Sequence, residues 1–431
     1  MRLSFFKNTL LIVLPLTVFI CFSCGSGNRD ATDKKQEDVI IHDTVEIKKE
    51  KKEIVTGANR QDQYFKLLEG KRVGVVANQT SIIMDKTDPL EEGNLETVYY
   101  AIHLVDYLHG FDISVEKVFA PEHGFRGKAD AGEYVQDGID KKTGIPIISL
   151  YGKNKKPSPT QMKGLDVVVF DIQDVGVRFY TYISTMHYMM EACAEAGIPF
   201  IVLDRPNPNG HYVDGPTMKK EHTSFLGLHP IPLVHGMTIG EYAQMINGEG
   251  WLSDSLKCDL TVITMENYTH DTFYSVPVRP SPNLPNDTSI NLYPSLGLLE
   301  GTNLNAGRGT EMQFQLIGSP FLPKEKYPYA YTPQPNFGAK YPKHKDAECN
   351  GLDLRDTPRM DRVDLTWIMD AYRNHAHKDK FFNTKNFTAH AGTEELQKQI
   401  EQGYTFREIR KTWLKDLEAF KEIRSKYLLY D

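Results

Sequence analysis

The sequence predicts an α/β protein: a Rossmann-like, mostly parallel sheet with helices on both faces, followed by a smaller α+β domain. Three observations carry that reading. Short apolar runs recur at 71–77, 115–120, 145–150, 166–170 and 199–203, continuous rather than alternating, as in strands buried on both faces. Segments with helical spacing separate them, which parallel pairing requires. Polar residues gather after each run, at the carboxyl edge where open α/β sheets bind ligands.

In chain order, residues 1–24 come first and stand apart from the fold. Arg2 and Lys7 accompany an apolar stretch from Thr9 to Phe22, and Ser23-Cys24-Gly25-Ser26-Gly27 follows, the layout of a secretory signal. A cysteine at the cleavage point followed by small polar residues has the pattern of a bacterial lipoprotein signal, with Cys24 as the lipidated residue. Residues 25–56 are polar and charge-mixed, with too little apolar surface to offset ordering, and read as a flexible tether. The expectation is an exported, lipid-anchored cell-envelope protein facing the periplasm.

About 370 residues then remain, enough for two packed domains. A catalytic domain is expected over 57–275 and a smaller domain covering the cleft over 276–431. Within the first, 98–109 and 160–165 read as helices. A further helix over 181–196 carries Met186, Met189, Met190 and Cys193 at helical spacing, a stripe read as packing. Thr238 and Glu241 form a T-x-x-E capping box opening another helix. The second domain begins in proline-rich loops and returns to helix after 393. There Trp413, Leu417, Phe420 and Ile423, three or four apart, form a buried face.

Composition narrows the function. Net charge is −7 with Lys and Arg spread along the chain, which argues against a nucleic-acid partner. Beyond Cys24 only Cys193, Cys258 and Cys349 remain, neither a disulfide framework nor a thiolate metal site. No G-x-G-x-x-G follows the first strand, where Asn78-Gln79-Thr80 stands, and no P-loop occurs, so no nucleotide cofactor is expected. Neither H-E-x-x-H nor G-x-S-x-G is present, and no metal is expected.

Chemistry concentrates in Pro121-Glu122-His123-Gly124-Phe125-Arg126-Gly127, directly after the second strand. Glu122 is the candidate acid, His123 its orienting or substrate-binding neighbour, and Arg126 a clamp for a substrate carboxylate or a structural partner of Asp130 or Glu133. The next acidic strand end supplies Asp171 and Asp174, as a second carboxylate or as helix caps. Glycosidic cleavage needs such a pair, one acid and one base, nucleophile or charge stabiliser. Asn78, Arg178, Tyr180 and His235 join the candidate substrate-binding set. The Gly-rich segment 301–311 adds Asn305, Arg308 and Glu311, a composition suited to a sugar or carboxylate.

Seven blocks in order, PEHGFRG (121–127), FDIQDVGVRFYTY (170–182), LDRPNPNG (203–210), HGMTIGEYA (235–243), RPSPNLPN (279–286), YPSLGLLEGTNLNAGRGT (293–310) and GTEELQKQIEQGYTFREIR (392–410), resemble a bacterial family long catalogued as an uncharacterised domain and now associated with exo-β-N-acetylmuramidases. The resemblance covers roughly 57–431. It implies release of a terminal N-acetylmuramic acid from the non-reducing end of peptidoglycan disaccharides and muropeptides, in a Rossmann-like domain with a smaller one over the cleft. The family's acid falls on Glu122 and its strand-end acids on Asp171 and Asp174. The loop of Asn305 and Arg308 would line the cleft. One of Arg126, Arg178 and Arg308 would read the lactyl carboxylate that marks muramic acid. Retention and inversion both stay open, and so do a muramyl-binding lipoprotein without activity and an amidase or esterase acting on the lactyl-peptide side.

Overall fold

The computed structural model describes residues 52–86, 99–127 and 137–431, and Cys24, the signal-type segment, nearly all of the tether, Asp130 and Glu133 lie outside the described residues. From Lys52 onward the chain forms one compact unit.

The order is α1 (Gln61–Leu68), β1 (Val73–Ala77), β2 (Ile82–Lys86), β3 (Tyr99–His103), α2 (Leu104–Gly110), β4 (Val115–Ala120), β5 (Gly138–Ile139), β6 (Pro146–Ser149), α3 (Pro159–Met162), β7 (Val167–Asp171), α4 (Tyr182–Ala196), β8 (Phe200–Leu203), α5 (Ile239–Gly248) and β9 (Leu260–Ile263). The C-terminal part continues with α6 (Asp287–Leu296), β10 (Leu316–Ser319), β11 (Tyr329–Tyr331), β12 (Cys349–Asp353), α7 (Thr366–Asn374), α8 (Thr384–Ala391), α9 (Glu395–Glu401) and α10 (Phe406–Arg424).

A seven-stranded sheet runs β5-β6-β4-β1-β7-β8-β9, all parallel except the β5–β6 edge pair. Alternate residues of each strand serve opposite cores, which is why the strands read as unbroken apolar runs. Val73, Val75 and Ala77 pack with Val118, Val169 and Leu203 against Leu68 of α1 and Leu108 of α2. Val76, Phe119, Val168 and Phe200 pack with the α4 stripe Met186, Met189, Met190 and Cys193 and with Tyr242 of α5. The smaller C-terminal part holds the antiparallel sheet β10-β12-β11 and helices α6 to α10.

Three elements differ from expectation. The helix expected over 98–109 begins only at Leu104, where the His103 ring accepts the Val105 N–H; residues 99–103 instead form β3, antiparallel to β2. Tyr99, Tyr100 and Ile102 are good strand formers whose spacing also mimics a helix. The last helix, which the sequence places from Thr412 to the chain end, instead starts at Phe406 behind a Thr405–Glu408 capping box and stops at Arg424. Its predicted face is present: Trp413, Leu417 and Phe420 are buried. Third, the four-residue edge strand β9 pairs with β8 and extends the sheet beyond the five runs read from the sequence.

The order β6-β4-β1-β7-β8 places the crossover point at β1. Chain segments leave its two sides in opposite directions, opening a crevice beyond the carboxyl ends of β4, β1 and β7.

Candidate active site

At the end of β4 the backbone turns at once. The Gly124 N–H donates to Pro121 O at 3.0 Å, and His123 adopts a positive φ of 71°. A histidine in the left-handed region is uncommon and is held there by its surroundings. Its ring is buried, with Nε2 3.1 Å from the Ser281 hydroxyl. This turn presents Glu122 at the sheet's carboxyl edge.

Glu122 opens into a cavity of about 570 Å³. The sheet side supplies Glu122, His123, Tyr151 after β6, and the Phe179–Tyr182 segment that leads from β7 into α4. The opposite wall comes from Ser281 and Asn283, Tyr293 of α6, Glu300, Arg308, Phe314, and Asn386 and His390 of α8, with Phe225 and Leu226 also contributing. Aromatic contacts stiffen the walls: Tyr180 meets Tyr182 edge-on at 4.7 Å, and Tyr293 meets Phe179 at 5.1 Å and Phe314 at 4.8 Å. In the proline-rich loop Pro280 O accepts from the Tyr180 hydroxyl at 2.6 Å and the Tyr182 hydroxyl at 3.3 Å.

Two carboxylates face this space, in different surroundings. Thr181 Oγ1 donates to Glu122 Oε2 at 2.9 Å, and the Tyr151 hydroxyl hydrogen bonds to the same carboxylate; burial and then Glu122 hold that phenol well above its ordinary pKa. Glu300 meets cations. Arg308 Nη1 lies 3.1 Å from its Oε1. Burial opposes ionisation of Glu300, but Arg308, Lys343 and His390 outweigh it and hold the carboxyl below its usual value.

Of the residues singled out in the sequence, Glu122, His123, Tyr180 and Arg308 line the cavity together. The structure directs the others elsewhere. Asp171 is fully buried and accepts two hydrogen bonds from Arg205. Asp174 lies buried outside the lining. Its Oδ2 accepts the Gly176 N–H at 2.7 Å, in a turn whose glycine, at φ 75°, abuts Asn207 too closely for a Cβ. Burial pushes the Asp174 carboxyl up to about 7 against the pull of the Gly176 and Val175 N–H groups. His235 is fully buried beside it, with Nε2 3.8 Å from Asp174 Oδ2. Burial, then Arg424 and Arg178, push that ring down to about 3, so it is neutral and the contact is no ion pair.

Arg126 is engaged by Asp106 at 3.0 Å and Asp140 at 2.8 Å, a structural cluster rather than a clamp. Arg178 is fully buried, donating to the carbonyls of Pro216, Ile231 and His390. Asn78 is buried at the end of β1, where its Oδ1 accepts from Thr80 N–H and Oγ1. Asn305 donates to the carbonyls of Arg308 and Lys343 and so shapes the loop that carries Arg308. Glu311 is exposed and receives a long 3.4 Å contact from Asn336. The sequence reading missed Glu300, Tyr151, Thr181 and His390. Glu300 had a signal, an acid directly before the Gly-rich segment 301–311.

Residues 73–288 match the family description "Exo-beta-N-acetylmuramidase NamZ, N-terminal", and residues 291–430 match its C-terminal counterpart. The chain belongs to the exo-β-N-acetylmuramidase NamZ family. Its relative in Bacillus subtilis (strain 168), peptidoglycan β-N-acetylmuramidase NamZ, is 40% identical over 388 residues, 85% of this chain and 89% of that protein. Two crystal structures of DUF1343 family proteins from Bacteroides fragilis NCTC 9343 share the NamZ-family fold seen here. One is 42% identical with a TM-score of 0.78, the other 31% identical with a TM-score of 0.74, and each match covers 88% of this chain and 99% of the other. The two family halves meet within α6, whose Tyr293 reaches the cavity.

Proposed function

We propose that this protein is an exo-β-N-acetylmuramidase, a glycoside hydrolase that releases terminal N-acetylmuramic acid from the non-reducing end of peptidoglycan fragments. The observation that carries this reading is that Glu122 and Arg308 open into one aromatic-walled cavity. In this reading Glu122 protonates the leaving glycosidic oxygen, and Thr181 and Tyr151 fix its orientation. Arg308 reads the lactyl carboxylate. Of the three arginines considered, Arg126 and Arg178 are engaged outside the cavity lining, whereas Arg308 lines it. A lactyl carboxylate would pair with the guanidinium on the cavity wall, and N-acetylglucosamine, which has none, would not. The proposal extends to place: the signal-like segment and Cys24 support export and lipid anchoring, with the enzyme in the periplasm.

Incubation with the disaccharide N-acetylmuramyl-β-1,4-N-acetylglucosamine tests the activity. Both free sugars should appear by mass spectrometry. Binding without cleavage, or release of peptide from a muropeptide whose sugar linkage stays intact, would overturn the reading.

A further inference from the structure

We infer that Glu300 is the second catalytic carboxylate, the ionised base that works opposite Glu122. The inference rests on the glycosidase reading above.

Among the described residues that line the cavity, the carboxylates are Glu122 and Glu300. The strand-end aspartates are absent from the lining, and Asp171 is closed off by Arg205. Glycosidic hydrolysis needs one carboxyl that carries a proton and one that does not, and a protein separates the two by environment. The Thr181 and Tyr151 hydroxyls orient Glu122, and the Arg308 guanidinium and the Lys343 ammonium favour the charged form of Glu300. Tyr293 lines the same cavity as both glutamates.

The segment that carries Glu300 is braced as a catalytic group requires. Lys343 Nζ donates to the carbonyls of Leu299 at 3.0 Å, Thr302 at 2.7 Å and Leu304 at 2.9 Å, clamping the chain on both sides of the glutamate. The next residue, Gly301, packs against the backbone of Phe387 with no room for a Cβ. Side-chain exposure is 28%, so Glu300 is anchored yet open to substrate and water.

The step balances. Glu122 gives its proton to the glycosidic oxygen as the C1–O bond breaks, and the bonding electrons leave with that oxygen. A water oxygen bonds to C1 and passes one proton to Glu300. Exchange with solvent then returns a proton to Glu122 and removes one from Glu300.

The bland alternative is that Glu300 only orients Arg308, and kinetics separates the two. Glu300→Gln should lower kcat by about 10²–10⁴ on the disaccharide and equally on an aryl muramide, with KM within about threefold of the parent. An activated leaving group does not replace a missing base, although it does replace a missing acid. The first-formed sugar from the parent enzyme should be the α-anomer by NMR. Should Glu300→Gln not fold, Glu300→Asp keeps the charge but withdraws the carboxylate, and should lower kcat at least about tenfold at near-constant KM. Near-normal kcat with a raised KM in the folded variant, or β-anomer release, would overturn the assignment. Absence of any sugar release by the parent enzyme would instead overturn the glycosidase reading itself.

Discussion

Arg205 holds Asp171 in a bidentate grip, with Nε 2.6 Å from Oδ1 and Nη2 2.8 Å from Oδ2, and both residues are almost wholly buried. The pair joins the ends of neighbouring strands β7 and β8. A third contact, from Arg205 Nη2 to Ile82 O at 2.8 Å, extends the link to β2. Burial pushes the Asp171 carboxyl up while Arg205 pulls it down, and the pair holds Arg205 firmly protonated. Removing one partner leaves the other's charge buried.

Asp171→Asn should therefore cost about 3–5 kcal/mol of stability, read as a lower urea midpoint, while kcat per folded molecule changes little. A hundredfold loss of kcat with an unchanged midpoint would put Asp171 in the chemistry after all.

Glu122→Gln should lower kcat on the disaccharide by about 10²–10⁴ with no loss of thermal stability, because the side chain faces a cavity and fills no core. Much of the activity should return on a substrate with a good aryl leaving group, which needs little protonation. Equal losses on both substrates would remove Glu122 from the acid role.

The contrast between these two acids marks what the sequence could reveal. An apolar run followed by polar residues locates the carboxyl edge of a parallel sheet, and that pattern led to Glu122, His123 and Tyr180. The same pattern also singled out Asp171 and Asp174, since it does not say which strand-end side chain turns into the crevice and which turns beneath it. Arg205, from the neighbouring strand end, decides that for Asp171, and such pairings are tertiary. Glu300 reaches the cavity from the far half of the chain, on a short helical turn with no strand before it, so no periodic signal pointed to it. Arg178 and Arg126 have the right chemistry for a carboxylate clamp and differ from Arg308 only in what surrounds them.

Arg308→Met should reduce selectivity for an aryl N-acetylmuramide over the matching N-acetylglucosaminide by one to two decades, equivalent to about 1.5–3 kcal/mol. Arg126→Met should leave that ratio unchanged and show its effect in stability, because Asp140 loses its guanidinium partner and Asp106 keeps only Lys142. Competition assays with both glycosides measure the ratio directly. An unchanged ratio in Arg308→Met would send the search for the carboxylate reader elsewhere in the cavity.

The anchoring proposal has its own test. Two acyl chains hold a protein firmly on a bilayer where one does so only marginally. Cys24→Ser should therefore move the full-length chain from the membrane to the soluble fraction while its specific activity is retained. Equal membrane retention of the parent and Cys24→Ser would count against lipidation at that position.

Asp174 gives a prediction in pH. Its folded-state pKa, about 7, lies above the ordinary 3.8, with burial as the cause. A carboxyl raised in this way contributes stability that is fully present below pH 3.8 and is lost as pH rises through about 7. The neighbouring His235 supplies no compensating charge, because it stays neutral across that range. Asp174→Asn keeps an acceptor for the Gly176 N–H and removes the charge. The variant should match the parent most closely near pH 4 and gain on it as pH rises, by on the order of 4 kcal/mol at pH 8. Thermal melts of both proteins at pH 5 and pH 8 measure the difference. A gain that is the same at both values would mean that Asp174 is already ionised in the folded state at pH 5, and a gain confined to pH 5 would reverse the sign of its burial effect.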